Sequence, residues 1–229
     1  MNKMFYIYFM LLVFILCIYV NKPESKVLIT NKTNIIPVYK EYDKDSFSLE
    51  ELRSKYNNND IIGKIKINDK LDSLVVKYTD NSYYLNHDYY KNYNIFGSVF
   101  MDYRTNILDK KIIIYGHNFK YKNQEFSILE NYSDYNYYLE NQDIELIIDN
   151  YLIKYKIFSY YLTNYDYEYF EVNINNYNNH FNNLKNNSLY DTNILVDETD
   201  NILILQTCST IYDDYYVILC AKEIERNKI

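Results

Sequence analysis

The chain has 229 residues and a formal charge of −7, with three cysteines, 31 Tyr, 3 Gly, 2 Pro and no Trp. That length holds one domain of about 200 residues behind a short leading segment. The acidic balance, with no Lys/Arg cluster dense enough to track phosphates, excludes a nucleic-acid binder.

Met4 to Val20 carries no charge and is flanked by Lys3 and Lys22. At ~1.5 Å per residue this segment spans ~26 Å, enough for a bilayer core. Leu16-Cys17-Ile18-Tyr19 lacks the small residues that signal-peptide cleavage needs. The bulk of Leu16 also argues against acylation of Cys17. Residues 1–22 are therefore expected to be an uncleaved signal anchor, crossing a membrane through residues 4–20. The flanking lysines do not orient it. Residues 23–45, polar with Pro23 and Pro37, read as a juxtamembrane stalk, and residues 46–229 as the functional domain.

Within that domain Ser48-Leu49-Glu50-Glu51 has the spacing of a capping box and predicts a helix to about Tyr56, ended by Asn57-Asn58-Asn59-Asp60. Short β-like runs follow: 61–67, 74–78, 97–102, 111–115, 145–148, 152–161, 193–196, 202–208 and 215–221. Helical stretches interrupt them at about 126–132 and 175–184. Many short strands with few helices read as a closed or nearly closed β-barrel. So strong a bias toward Tyr and Asn leaves any single Tyr or Asn with little information.

The C-terminal runs 202–208 and 215–221 can pair about a turn near Tyr212, so that opposed residue numbers sum to about 424. Cys208 then faces Tyr216, and Cys220 faces Ile204. Four positions out of register, Cys208 and Cys220 are too far apart for a disulfide. Ile202-Leu203-Ile204-Leu205 ends in Gln206-Thr207-Cys208, and Ile112-Ile113-Ile114-Tyr115 ends in Gly116-His117-Asn118. Two strands that deliver a thiol and an imidazole at the mouth of a sheet are what thiol catalysis needs.

At these residues the chain resembles the sortases, and within them class B, from about Ile61 to Lys222. The resemblance rests on Ile62-Gly63-Lys64-Ile65-Lys66-Ile67, Tyr83-Tyr84-Leu85-Asn86-His87-Asp88 and Gly97-Ser98-Val99-Phe100-Met101-Asp102-Tyr103-Arg104. It continues through Tyr115-Gly116-His117-Asn118, Phe158-Ser159-Tyr160-Tyr161 and Gln206-Thr207-Cys208. The helix between the strands near Tyr161 and Asn193 also fits class B. The resemblance implies a mostly β fold with short helices, a sortase-like closed barrel of about eight strands behind the N-terminal transmembrane anchor. It also implies a single-pass membrane protein of a Gram-positive cell with the domain outside the cytoplasm.

The implied chemistry is cysteine transpeptidation. Cys208 would attack the Thr carbonyl of a C-terminal sorting motif on a secreted protein, forming a thioester. His117 would protonate the leaving amine and then deprotonate the acceptor, a peptidoglycan cross-bridge or its lipid-linked precursor. No cofactor enters this chemistry. The implied substrate wall comprises Leu85, Tyr165, Tyr169 and Phe170, with Gln206 and Thr207 lining the cleft. The aromatic residues read equally well as ordinary barrel-surface side chains.

One departure matters. Sortases carry an arginine on the strand after the cysteine, to hold substrate and stabilise the oxyanion. Here the position is Tyr216, whose hydroxyl donates one hydrogen bond and brings no charge. Tyr216 itself, Lys222 or Arg104 would have to compensate, although Arg104 also reads as an ion-pair partner of Asp102, and Arg226 as a C-terminal surface charge. Gln206 replaces a serine, and Lys64 and Ser73-Leu74 replace a tryptophan and a proline. His87 and His180 read as structural, Asp213-Asp214 as a solvated turn, and no metal-ligand spacing occurs. Two readings stand: a working transpeptidase, and a sortase-fold pseudoenzyme that binds peptides or partner proteins but turns over poorly.

Overall fold

The computed structural model describes residues 48–119, 125–164 and 169–229. The expected anchor over 1–22, and the stalk over 23–45, lie outside the described residues. Among the described residues no helix is long and apolar enough to cross a membrane.

Eight strands close a barrel: β1 (Ile61–Ile67), β2 (Leu71–Val76), β3 (Phe100–Met101), β4 (Lys111–Tyr115), β5 (Asp143–Ile148), β6 (Tyr151–Thr163), β7 (Ile202–Cys208) and β8 (Tyr216–Lys228). Their order around the barrel is β1-β2-β3-β4-β7-β8-β6-β5. The β2–β3 and β4–β7 pairs are parallel and the others antiparallel. Among the described residues three α-helices decorate it: α1 (Leu49–Tyr56), α2 (Tyr135–Glu140) and α3 (Tyr177–Asn186). A 3-10 helix spans Glu125–Ser133, and a single 3-10 turn spans Tyr83–Leu85.

The capping box forms as its spacing predicts, with the Ser48 hydroxyl accepting from the Glu51 N–H at 3.2 Å. Asn57 ends α1 in the left-handed region at φ 48°, a conformation Asn tolerates better than most residues. The run at 193–196 is not a strand; it crosses as irregular chain, with Asn193 at φ 59° breaking any extended ladder. Predicted strand 97–102 shrinks to Phe100–Met101, because Gly97 turns at φ +59° against the Tyr84 and Leu85 carbonyls.

Residues of β4 and β7 are buried on both faces, which explains their continuous rather than alternating apolar runs. Ile112, Ile114, Leu203 and Leu205 fill the barrel interior with Tyr155 and Tyr160. Ile113, Tyr115, Ile202 and Ile204 face outward into a second cluster with Phe181 and Leu184 of α3. Many of the tyrosines are therefore core residues, and the hydroxyls of Tyr155 and Tyr160 lie in the interior without a hydrogen-bond partner.

Candidate active site

The register of two strand pairs places the site. On one side β4 and β7 run parallel, with Lys111 opposite Ile202 and Tyr115 opposite Gln206. The alignment continues past the strand end. The Gly116 N–H donates to the Gln206 carbonyl at 3.2 Å, and the Thr207 hydroxyl to the Gly116 carbonyl at 2.7 Å. That same offset of 91 residues sets His117 beside Cys208. On the other side β7 and β8 pair antiparallel, with Cys208 opposite Tyr216 and Ile204 opposite Cys220, the register the hairpin argument predicts.

The two-residue period of strands then decides which side chains share a face. Ile113 and Tyr115 lead to His117, Ile202 and Ile204 to Gln206 and Cys208, and Cys220 and Ile218 to Tyr216. Ile113, Tyr115, Ile202, Ile204, Ile218 and Cys220 all belong to the outer set. His117, Cys208 and Tyr216 thus project outward from three adjacent chains at one end of the barrel, about 4.8 Å apart strand to strand. Ser209 donates its N–H to the Tyr215 carbonyl at 2.8 Å, so Cys208 and Tyr216 form the neighbouring non-hydrogen-bonded pair. In such a pair the Cα atoms approach to ~4.5 Å and the side chains stand close.

Cys208 is a free thiol exposed at the rim. Desolvation by the protein around its sulfur pushes its pKa above the ordinary thiol value, so the resting group is protonated. Nε2 of His117 lies 2.7 Å from the Leu85 carbonyl oxygen. A carbonyl only accepts, so Nε2 carries the hydrogen, and in the neutral ring the lone pair resides on Nδ1. Phe119 packs at 4.9 Å between ring centroids and further limits the imidazole. The arrangement is a thiol, a tautomer-fixed base on the next chain, and a backbone carbonyl that orients the base.

Gly116 has a local reason. A side chain there would meet the Phe126 ring at 2.6 Å, so only glycine lets the 3-10 helix pack under the Tyr115–His117 bend. Thr207 is fully buried and tied to Gly116, on the interior face, whereas Gln206 shares the outer face with Cys208. Leu85 and Phe170 are exposed apolar groups, while Tyr169 is buried with its ring 6.3 Å from that of Tyr216. Tyr165 lies outside the described residues.

Three cations weighed as neighbours of the site are engaged elsewhere. Lys222 pairs with Ile202 at the far end of β7 and bonds Asp200 at 2.9 Å. Arg226 is held by Glu223 at 2.7 Å and by the Ile107 carbonyl. Arg104 forks onto fully buried Asp102 at 2.9 and 2.6 Å, as its ion-pair reading predicts. Its guanidinium also stacks on Phe170 at 4.0 Å and donates to the Phe170 carbonyl at 3.2 Å. Arg104 therefore anchors the segment that carries Tyr169 and Phe170.

The remaining histidines pack structurally. His87 stacks on Tyr83 at 4.0 Å. His180 of α3 is buried, with Nε2 2.9 Å from the Lys111 ammonium. Asp213 and Asp214 are exposed in the β7–β8 turn. A cleft of about 580 Å³ lined by Lys110, Tyr177 and Glu198 opens at the opposite end of β4 from His117. Among the described residues no cluster of His, Cys, Asp or Glu could hold a metal ion.

Sequence reasoning missed the Leu85 carbonyl, Asn118 and Glu130. The Asn118 amide donates to the Cys208 carbonyl at 3.1 Å, and extending the β4–β7 offset by one residue would have shown that neighbourhood. Glu130 reaches the turn after Cys208 from a helix 80 residues away, and nothing in the local sequence marks it.

A closed, mostly β barrel with a cysteine at one strand end and a histidine just past the next is the arrangement of a thiol-dependent enzyme. No family model matches the chain. Sortase B of Listeria monocytogenes is 35% identical over 170 residues, 70% of this chain and 68% of that protein. Among solved structures, sortase B of Clostridium perfringens superposes with a TM-score of 0.70 at 25% identity, over 78% of this chain and 100% of that one. A Staphylococcus aureus sortase B–substrate complex gives a TM-score of 0.70 at 27% identity, over 77% of this chain and 84% of that one. The chain belongs to the sortase B family, and with it to the cysteine transpeptidases.

Proposed function

We propose that this domain, held outside the cytoplasm by the 1–22 anchor, cleaves a C-terminal sorting motif after Thr and transfers the acyl group to a cell-wall amine. The observation that carries the reading is the placement of Cys208 between His117 on one neighbouring chain and Tyr216 on the other. The charge-free Met4–Val20 segment supports the anchor, and membership of the sortase B family supports the sorting-motif and amine partners.

In the first step the Cys208 proton passes to Nδ1 of His117 as sulfur attacks the Thr carbonyl carbon. The C–N bond then breaks, the leaving amine takes that proton, and a thioester remains. In the second step the acceptor amine attacks the thioester, His117 takes its proton, and the thiol is restored by return of that proton. The Leu85 carbonyl keeps the imidazole in the tautomer that permits both transfers. Tyr216 is the side chain beside the developing oxyanion, and its hydroxyl is the donor this chain offers there. Leu85 and Phe170, with Tyr169 behind them, form the apolar wall for an extended peptide.

A second reading is favoured by the same residue. One neutral donor in place of a guanidinium weakens oxyanion stabilisation by about 10²–10³ in rate, which would leave a peptide-binding pseudoenzyme. The full chain is to be incubated with peptides of NPxTx and LPxTG type, and intact mass followed for wild type and Cys208→Ala. A peptide adduct or cleavage that requires Cys208 supports the transpeptidase. Binding without an adduct, in wild type and with every peptide, supports the pseudoenzyme.

A further inference from the structure

We propose that Glu130 is a positioning residue for the Cys208–His117 pair, a role that rests on the transpeptidase reading above. Its carboxylate receives the Ser209 hydroxyl at 3.0 Å, the Thr210 N–H at 2.5 Å and the Thr210 hydroxyl at 2.6 Å. The Asn118 amide lies close enough to help lower the pKa of that carboxylate. An ionised carboxylate has about four acceptor positions, and the Ser209 and Thr210 donors fill three of them. Burial alone would raise the Glu130 pKa, but its hydrogen bonds to Thr210 and Ser209, with the nearby Asn118 amide, outweigh burial and hold the group ionised.

Each donor has a place in the site. Asn118 follows the base and also donates to the Cys208 carbonyl, so it joins the ends of the β4 and β7 chains. Ser209 follows the nucleophile. Its N–H closes the turn on Tyr215, and its hydroxyl oxygen accepts the N–H groups of Ile211 and Tyr212. One O–H donor and two acceptors are all a serine hydroxyl offers. With the hydrogen turned toward Glu130, both lone pairs face the turn. The path from Cys208 to Tyr216 is therefore shaped around one carboxylate that substrate need not touch.

The chemistry of an amide makes the proposal testable without a cavity. Glu130→Gln keeps the volume but replaces two acceptor positions with N–H donors. The Thr210 hydroxyl can rotate to accept one of them, but the second N–H meets no free acceptor among the Ser209 and Thr210 groups that bond Glu130. Misplacing reacting groups by ~1 Å costs about 10² in rate.

The experiment measures kcat and KM for thioester formation by the full chain with an NPxTx peptide. The set is wild type, Glu130→Gln, Asn118→Ala and the double variant, with thermal melts alongside. Glu130→Gln is expected to lower kcat by roughly 10- to 100-fold with KM within about twofold. The double variant should lose little more than the worse single one, because both changes cut one link. Unchanged kcat in folded Glu130→Gln, or losses that simply add, overturns the proposal. If wild type forms no thioester, the transpeptidase reading fails. The rate of Cys208 alkylation by iodoacetamide, with Cys208→Ala as background, then decides the Glu130 role. A changed rate in Glu130→Gln supports it, and equal rates overturn it.

Discussion

Replacing Tyr216 with arginine tests the oxyanion argument at one position. Tyr216 is exposed and stands opposite Cys208, and its one described ring contact is Tyr169 at 6.3 Å. Losing an aromatic pair of that kind costs about 0.5–1.5 kcal/mol, so the domain should stay folded. The gain is larger. A guanidinium on the same face brings a positive charge and a two-pronged donor to where the tetrahedral oxygen develops. One well-placed oxyanion donor is worth about 10²–10³ in rate, some 3–4 kcal/mol. Tyr216→Phe completes the set, because it removes only the hydroxyl. Acyl-enzyme formation would be timed by intact mass under single turnover. If the hydroxyl serves the oxyanion, Tyr216→Phe slows acylation and Tyr216→Arg speeds it. Equal rates for all three chains would refute the reasoning, since position 216 would then not reach the carbonyl oxygen.

Arg104→Gln should raise KM more than it lowers kcat, because Phe170 loses both its carbonyl partner and its stacking cation while Cys208 is untouched; steady-state kinetics separate the two. The same variant strands buried Asp102, at about 3 kcal/mol read from denaturant unfolding. Burial raises the Asp102 pKa, but the Arg104 bonds and the Tyr115 hydroxyl outweigh it and depress the folded value. Its stabilisation is therefore present above the ordinary value near 3.9 and lost as pH falls through the folded one; in Arg104→Gln that acid limb of the unfolding curve should shrink. Gly116→Ala should cost about 1–3 kcal/mol by overpacking Phe126, with acylation falling further than the melting temperature alone explains. Because burial raises the Cys208 thiol, its alkylation at neutral pH should be slow and keep rising beyond the pH at which an ordinary thiol levels off. A plateau at or below that pH would contradict it.

How far the sequence reveals this site depends on sequence separation. The β7–β8 hairpin is local, so its turn alone sets Cys208 opposite Tyr216 and keeps Cys220 away from a disulfide. The apolar runs ending in His117 and Cys208 mark two strand ends, yet nothing local says they pair in parallel; that follows from the closed barrel. Runs buried on both faces carry no alternation, which is why 193–196 passes for a strand. It packs Val196 against the outer cluster and makes no ladder. The Leu85 side chain suggests an apolar wall, while its carbonyl, which every residue possesses, gives no sequence sign of holding His117. Glu130 is hidden for a related reason: carboxylates abound in this chain, and only the fold selects one.

The parallel pairing of β4 with β7 has a consequence for how the chain acquires its chemistry. Cys208 and Tyr216 meet within a hairpin that closes a short loop, whereas His117 joins Cys208 across 91 residues. Closing the longer loop costs more entropy and is the slower event. A chain that has formed only its C-terminal hairpin thus displays the nucleophile without its base. In refolding, native-like β signal should return before peptide acylation does, and the lag would time the arrival of His117.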